Sequence, residues 1–221
     1  LNSGQVGALR AAEYIVFHCF ADLPDERQFC DLAKDRIQGA FDRVERWLHQ
    51  GESATLGLQE AKREIQHRTT EHGSQIRRPD GVRQAVSDAT QLRKRIAQEG
   101  LRLQEKKDFL KAWQIYEMAL TSEAYLTAID AMIARGGGSR GSHLITDEKK
   151  GIKPHPMLGD EWNFLPENEE LRGDVLEVAW DEDAGRFVTS VTPVRPIPEE
   201  EYWFENTWEA YRSGRIYEEF E

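Results

Sequence analysis

The stretch VRQAVSDATQLRKRIAQEG, residues 82–100, decides the fold. Val82, Ala85, Val86, Ala89, Leu92 and Ile96 recur at three- and four-residue spacing, which lines one side of an α-helix with apolar groups. Gly100 then closes the helix, because glycine readily takes the backbone angles that end a helical run. One amphipathic helix cannot bury its own stripe, so the neighbouring sequence must supply partners.

Partners stand on both sides. Upstream, Thr55 suits the cap of a helix running to about His72, with Leu58, Ala61 and Ile65 facing inward. The stretch His72-Gly73-Ser74-Gln75-Ile76-Arg77-Arg78-Pro79-Asp80-Gly81 is dense in turn formers and separates the two. Downstream, Leu101 to Ile133 is long and apolar on one side through Phe109, Trp113, Tyr116, Leu120, Ala124, Ala128 and Met132, with a kink or new start marked by Thr121-Ser122-Glu123. Short connections make these three helices an antiparallel three-helix bundle. The expected class is therefore mainly α.

Further out, Asp25 to Gln50 reads as a helix through Phe29, Leu32, Ala33, Ile37, Ala40, Phe41, Val44 and Leu48. Val6, Leu9, Ala12, Ile15, Val16 and Cys19 give a stripe for a first helix, which Asn2 or Ser3 can cap. Gly4, Gly7 and Ala8 leave its first turn almost bare. A bare, positively polarised helix start either admits an anion or flat ligand to the backbone or packs closely on another element.

After Arg135 the composition changes. Gly136-Gly137-Gly138-Ser139-Arg140-Gly141-Ser142-His143 cannot stay helical, and Pro154, Pro156 and Pro166 keep the following stretch irregular. Val175 to Trp180 and Arg186 to Thr192 have strand composition, and Asp181 to Gly185 between them suits a hairpin loop. Pro193 to Pro198 must be extended, and a short helix near Glu205 to Ser213 follows. The fold expected is a helical bundle followed by a small irregular segment with a β-hairpin.

Charge narrows the function classes. The chain of 221 residues carries a net −11, unevenly placed: residues 1–155 hold 24 Lys/Arg against 22 Asp/Glu, and residues 156–221 hold 5 against 18. Such a chain repels phosphate backbones and anionic lipid surfaces, so nucleic acid is not an expected partner. The longest apolar run, Tyr14 to Ala21, is interrupted by His18 and is too short for a transmembrane segment. Cys19 and Cys30, with no CxxC, read as reduced thiols of a cytoplasmic protein. Trp162, Trp180, Trp203 and Trp208 make the acidic end an ordered segment with a solvated face.

Chemistry-bearing motifs are few. There is no Walker loop, no HExxH and no nucleophile with a spaced base, so no catalytic residue is assigned. His67 and His72 point about 140° apart on a helix, and His18, Cys19, Cys30 and His49 match no standard zinc spacing, so no metal site is assigned. The richest local stretch is Ser139 to His143, where an arginine able to clamp a carboxylate or phosphate and a histidine able to move a proton follow flexible glycines. A helix cap with Arg140 in a structural ion pair fits the same residues.

Ser139-Arg140-Gly141-Ser142-His143, at the end of an Ala-rich helix, resembles the ESRGAH phrase in the helical domain of succinate dehydrogenase and fumarate reductase flavoproteins and their L-aspartate oxidase relatives. Three further phrases agree in order. Leu1 to Ile15 is similar to the last helix of that family's FAD domain. Glu71 to Arg78, followed by Asp80-Gly81-Val82, resembles its bundle turn. Pro193 to Pro198, with Trp203-Phe204-Glu205, resembles the C-terminal phrase of a bacterial FAD-binding branch. Gly138 stands where the family often has Glu, Ser142 where it has Ala, and residues 21–54 and 144–165 have no counterpart.

The resemblance implies the C-terminal helical part of an FAD-dependent oxidoreductase, which transfers hydride between flavin and a small substrate. It implies three segments: the last helix of an FAD-binding domain (1–20), a helical domain (21–143) and an acidic end with a hairpin and terminal helix (144–221). It places Leu1, Asn2 and Ser3 at the cofactor through backbone groups, and Arg78, Ser139, Arg140 and His143 at the interface between the helical and FAD domains. The implied partner is the FAD-binding domain or chain, with room for an iron–sulfur or other electron-transfer subunit. By the same reading the segment alone is inactive. A non-enzymatic helical interaction module is the competing expectation.

Overall fold

The computed structural model describes residues 2–18, 24–51, 53–194 and 203–218. It forms two compact units, one of residues 1–39 with 195–221 and one of residues 40–194. Helix α2 (Glu26–Gln50) runs from the first unit into the second. These units group the chain differently from the segments 1–20, 21–143 and 144–221, since the hairpin shares a unit with the bundle.

In the first unit, α1 (Asn2–His18) meets the terminal elements, α6 (Trp203–Ser213) and a 3-10 turn at Arg215–Tyr217. Tyr14 and His18, one helical turn apart, stack at 4.6 Å, and the Tyr217 ring stands edge-on to both. The Arg10 guanidinium lies over the Tyr211 ring at 5.3 Å. Tyr211 and Ile216 are buried, while α1 leaves Val6, Leu9, Tyr14, Ile15, Val16 and Phe17 exposed. Cys19 lies outside the described residues, and Cys30 is a free, exposed thiol.

α2 begins on a reciprocal cap: the Gln28 amide donates to the Asp25 carboxylate at 2.8 Å, and the Asp25 amide donates to the Gln28 side-chain oxygen at 2.9 Å. The helix also leaves apolar groups uncovered, among them Phe29, Leu32, Ile37 and Phe41. Its last turn behaves differently. Trp47 is buried, donates from Nε1 to the Ala97 carbonyl at 3.4 Å, and rests against Phe109, Trp113 and Tyr116.

The three-helix bundle forms as the periodicity requires, from α3 (Leu58–Gly73), α4 (Pro79–Glu99) and α5 (Phe109–Ala134). Ala61, Ile65, Leu92, Ile96, Ala112, Ile115 and Ala119 make its main core. A second cluster seats Leu126 of α5 on Ala85 and Ala89 of α4, whose small side chains allow close approach. Gly100 ends α4 at φ +72, the left-handed region where a side chain is strained.

Three local expectations are corrected. The cap of α3 is Gly57, not Thr55; the Thr55 hydroxyl instead accepts from Arg95 Nη2 at 2.9 Å. α5 starts at Phe109, because Leu101 to Leu103 is extended: the Arg102 amide donates to the Leu56 carbonyl and the Leu103 amide to the Gly51 carbonyl, each at 2.8 Å. A 3-10 turn at Lys106–Asp108 then leads into the helix. α5 also runs unbroken through Thr121-Ser122; Thr121 Oγ1 donates to the Glu117 carbonyl of the same helix, and Ser122 Oγ sits 2.7 Å from Thr69 Oγ1 of α3.

The hairpin pairs β3 (Asp174–Asp181) with β4 (Arg186–Pro193), antiparallel and in register from Asp174↔Pro193 to Asp181↔Arg186. Leu176, Val178 and Trp180 share one face with Phe187, Thr189 and Val191. Both strands contact α5. Two short strands precede it in the chain, β1 (Ile76–Arg77) and β2 (Leu144–Ile145), which pair in parallel. No helix among the described residues is long and apolar enough to cross a membrane.

Candidate functional site at the end of helix α5

The glycine run that ends α5 turns the chain through a close approach. A Cβ on Gly138 would stand 1.7 Å from the Pro166 carbonyl oxygen, so only glycine lets segment 138–140 lie along segment 164–167. Ser139 fastens that contact: its amide donates to the Leu165 carbonyl at 2.9 Å, and its buried hydroxyl accepts from the Ile145 amide at 2.9 Å. Arg140 and His143 then exchange backbone hydrogen bonds at 3.0 and 2.7 Å, a tight reversal that projects both side chains from one turn.

Those side chains join a cavity of about 190 Å³ between the end of α5, the 167–172 segment and the base of the hairpin. Its apolar lining is Met132, Leu171, Leu176 and Val191, and its polar lining includes Arg135, Arg140, Arg172, Glu167 and Asp174. Arg172 grips Glu167 with two bonds, 2.9 Å from Nε and 2.8 Å from Nη2. Arg140 Nε reaches the same carboxylate at 3.2 Å, and Arg135 Nη2 holds Asp174 at 2.7 Å. The Arg172 guanidinium holds the Glu167 carboxyl below the usual carboxylate range, with Arg140 adding to the effect, so Glu167 stays ionised.

His143 is partly buried, and its imidazole is pushed below the ordinary histidine range by that burial and by the positive charges of Arg77 and Arg140. It is a neutral ring at pH 7. Ser142 Oγ lies 3.3 Å from its Nδ1. A neutral imidazole keeps one ring nitrogen as an acceptor and the other as a donor.

Of the residues the sequence singles out, the fold brings Ser139, Arg140 and His143 together and leaves Arg78 apart. Arg78 is exposed and caps α4 with its carbonyl, accepting from the Val82 amide at 2.9 Å. Its neighbour Arg77 is the buried arginine. Arg77 donates from Nε to the Ser74 carbonyl at 2.9 Å and from Nη2 to the Tyr125 hydroxyl at 3.2 Å, while that hydroxyl donates to the Gly73 carbonyl at 2.8 Å. The β1–β2 pairing carries this turn to the 139–146 segment, through Leu144 N to Gln75 O at 2.6 Å and Thr146 N to Arg77 O at 3.0 Å. Alternation around the turn is the signal that separates the two arginines: a two-residue strand puts Ile76 outward and Arg77 inward.

Leu1 lies outside the described residues, as do the side chains of Asn2 and Ser3, although Asn2 and Ser3 belong to α1. Beyond them, a Cβ on Gly4 or Gly7 would meet no atom within 4 Å. Among the described residues the bare first turn is therefore open. Among the described residues no group of three His, Cys, Asp or Glu side chains is placed to hold a metal ion. Arg195 to Tyr202, which includes most of the proline-rich phrase, lies outside the described residues.

Comparison with protein-family models, with curated proteins and with solved structures finds no match to this chain.

Proposed function

We propose that this chain is the C-terminal helical part of an FAD-dependent oxidoreductase of the succinate dehydrogenase and fumarate reductase flavoprotein type, serving to complete its FAD-binding domain. The observation that carries the reading is α1. It is apolar on more than one side, with Leu9, Tyr14, Ile15, Val16 and Phe17 all exposed, and its first turn is open at Gly4 and Gly7. A run of exposed apolar side chains of this extent marks an interaction surface, so a further protein surface is expected to cover it. An FAD-binding domain is the surface that the phrase Leu1 to Ile15 implies, with FAD approaching the backbone of Leu1, Asn2 and Ser3.

The turn phrases support the same reading. Gln75 to Arg78 and Ser139 to His143 are far apart in the chain, resemble successive phrases of one family, and are neighbours through β1 and β2. Of the four residues that the resemblance puts at the domain interface, Arg78 and Arg140 are exposed, each at its own turn, and Ser139 is buried against Leu165 and Ile145. Within the proposal FAD supplies the hydride chemistry, and this chain supplies backbone contacts and apolar cover. Its partners are the FAD-binding domain, on the same or another chain, and an electron-transfer subunit where the enzyme uses one.

The test is flavin retention. Purified with an FAD-binding domain, this chain should give a yellow complex whose flavin is lost when α1 is deleted, while the 221-residue chain alone should bind no flavin. An FAD domain that holds flavin equally well without this chain would overturn the proposal and favour the interaction module.

A further inference from the structure

The cavity at the end of α5 is lined by one more arginine than carboxylate. Arg135, Arg140 and Arg172 line it with two carboxylates, Glu167 and Asp174, and with a neutral His143. Glu169 also pairs with Arg172 at 3.1 Å, but from outside the cavity and on a side chain 73% exposed, where solvent screens it. One positive charge is left inside the lining. Arg140 is the arginine with donors to spare: it shares Glu167 with Arg172 through Nε alone, and its Nη1 and Nη2 make no hydrogen bond among the described residues.

The rest of the wall is apolar. Leu176 and Val191 face each other across the hairpin register, and Met132 and Leu171 complete an apolar floor. At about 190 Å³ the space is comparable with the ~150 Å³ cavity that accommodates benzene in a protein core. A single anionic end and a compact apolar body are what these two halves fit. Phosphate fits less well, for its second charge would exceed the surplus. The backbone donors that usually cradle phosphate are also engaged here: the amides of Gly137, Ser139 and Arg140 donate to Met132, Leu165 and His143.

We propose that this cavity binds a small monocarboxylate with an apolar body of about benzene size, its carboxylate held by the free fork of Arg140. The site is formed wholly within residues 40–194 and is independent of any flavin. Arg140 meets the carboxylate with two parallel N–H donors, and the apolar body displaces water from Leu176 and Val191.

The experiment titrates the 221-residue chain with benzoate, benzamide, acetate and phenyl phosphate by ligand-observed NMR. Benzoate should bind about tenfold or more tightly than benzamide, which lacks the charge, and than acetate, which lacks the body. Arg140→Gln should lose the benzoate preference and Arg140→Lys should keep part of it, both folding normally because the side chain is 64% exposed. Val191→Phe, which fills the floor, should weaken benzoate while leaving the fold intact by amide spectra. Equal binding of benzoate and benzamide, tighter binding of phenyl phosphate, undiminished binding by Arg140→Gln, or no binding by any probe would each overturn the proposal.

Discussion

Arg93 of α4 and Glu123 of α5 face each other inside the bundle, their side chains only 6% and 3% exposed. The pair is not isolated. Thr90 Oγ1 donates to Glu123 Oε1 at 2.9 Å, Arg93 Nη2 donates to the Gly185 carbonyl at 3.2 Å, and the same guanidinium lies 4.7 Å over the Trp180 ring. Two bundle helices and the tip of the hairpin are thus tied at one buried charge. Glu123→Ala would leave Arg93 buried and unpaired, which costs about 3–5 kcal/mol. Urea denaturation should show that loss, and Arg93→Met with Glu123→Leu together should recover most of it. A Glu123→Ala variant as stable as the parent would mean that water reaches the pair.

Gly138 yields a second expectation. Glutamate, the residue of the resembling phrase, cannot stand there, because its Cβ would overlap the Pro166 carbonyl. Here the carboxylate beside Arg140 comes from Glu167 instead. Gly138→Glu should detach segment 138–140 from 164–167 and destabilise the chain by at least about 1–3 kcal/mol, the usual range for overpacking. Amide exchange at Ser139 would report it, and unchanged protection there would contradict the close approach.

His143 sets a pH dependence. Its folded-state affinity for protons is below the ordinary value, so on acidification the unfolded chain takes up the proton first and stability falls. The loss begins as pH drops through the ordinary histidine range near 6.5 and ends below the folded value. Asp108, Asp147, Asp160 and Glu167 are also held below their ordinary values and lose stability in the same direction, but at lower pH. Chemical denaturation of His143→Gln between about pH 7 and 3 should lack the first slope and retain the second.

Substitutions on the uncovered helices should separate folding from assembly. Leu32→Lys on α2 and Ile15→Lys on α1 alter side chains 75% and 57% exposed, so each should move the stability of this chain by no more than about 0.5 kcal/mol. Under the flavoprotein proposal Ile15→Lys should abolish a complex with the FAD-binding domain. Gly7→Ala should stabilise α1 by roughly 0.5–1 kcal/mol in the isolated chain, and the bulkier Gly7→Leu should impair flavin retention in the complex. Pull-down and absorbance measurements on the same four proteins would decide.

Much of the architecture is legible in apolar spacing. Val82 through Ile96 specify α4 nearly to its ends, because a buried stripe and a closing glycine are local signals, and the hairpin follows from strand composition around Gly185. The errors lie where tertiary contacts override local preference. Thr55 is a good cap in isolation, but its hydroxyl is drawn to Arg95, and Leu101 to Leu103 is pulled straight by the carbonyls of Gly51 and Leu56. At the site, Arg140 and His143 are visible as chemistry-bearing residues, whereas Glu167, Arg172 and Asp174 look like ordinary acidic-end charge. No spacing rule links them to Arg140, since the cavity exists only once the hairpin is laid on α5.

The pairing of β1 with β2 contributes few hydrogen bonds and joins Arg77 to Thr146, 69 residues away in sequence. Closing so long a loop costs more entropy than two strand residues return, so the pair can persist only on helices already assembled. It should therefore form late in folding and serve as a sensitive gauge of the assembled state. The Leu144 and Thr146 amides should exchange with solvent whenever α3 and α5 part, even briefly, which makes those two hydrogens built-in witnesses to breathing of the whole bundle.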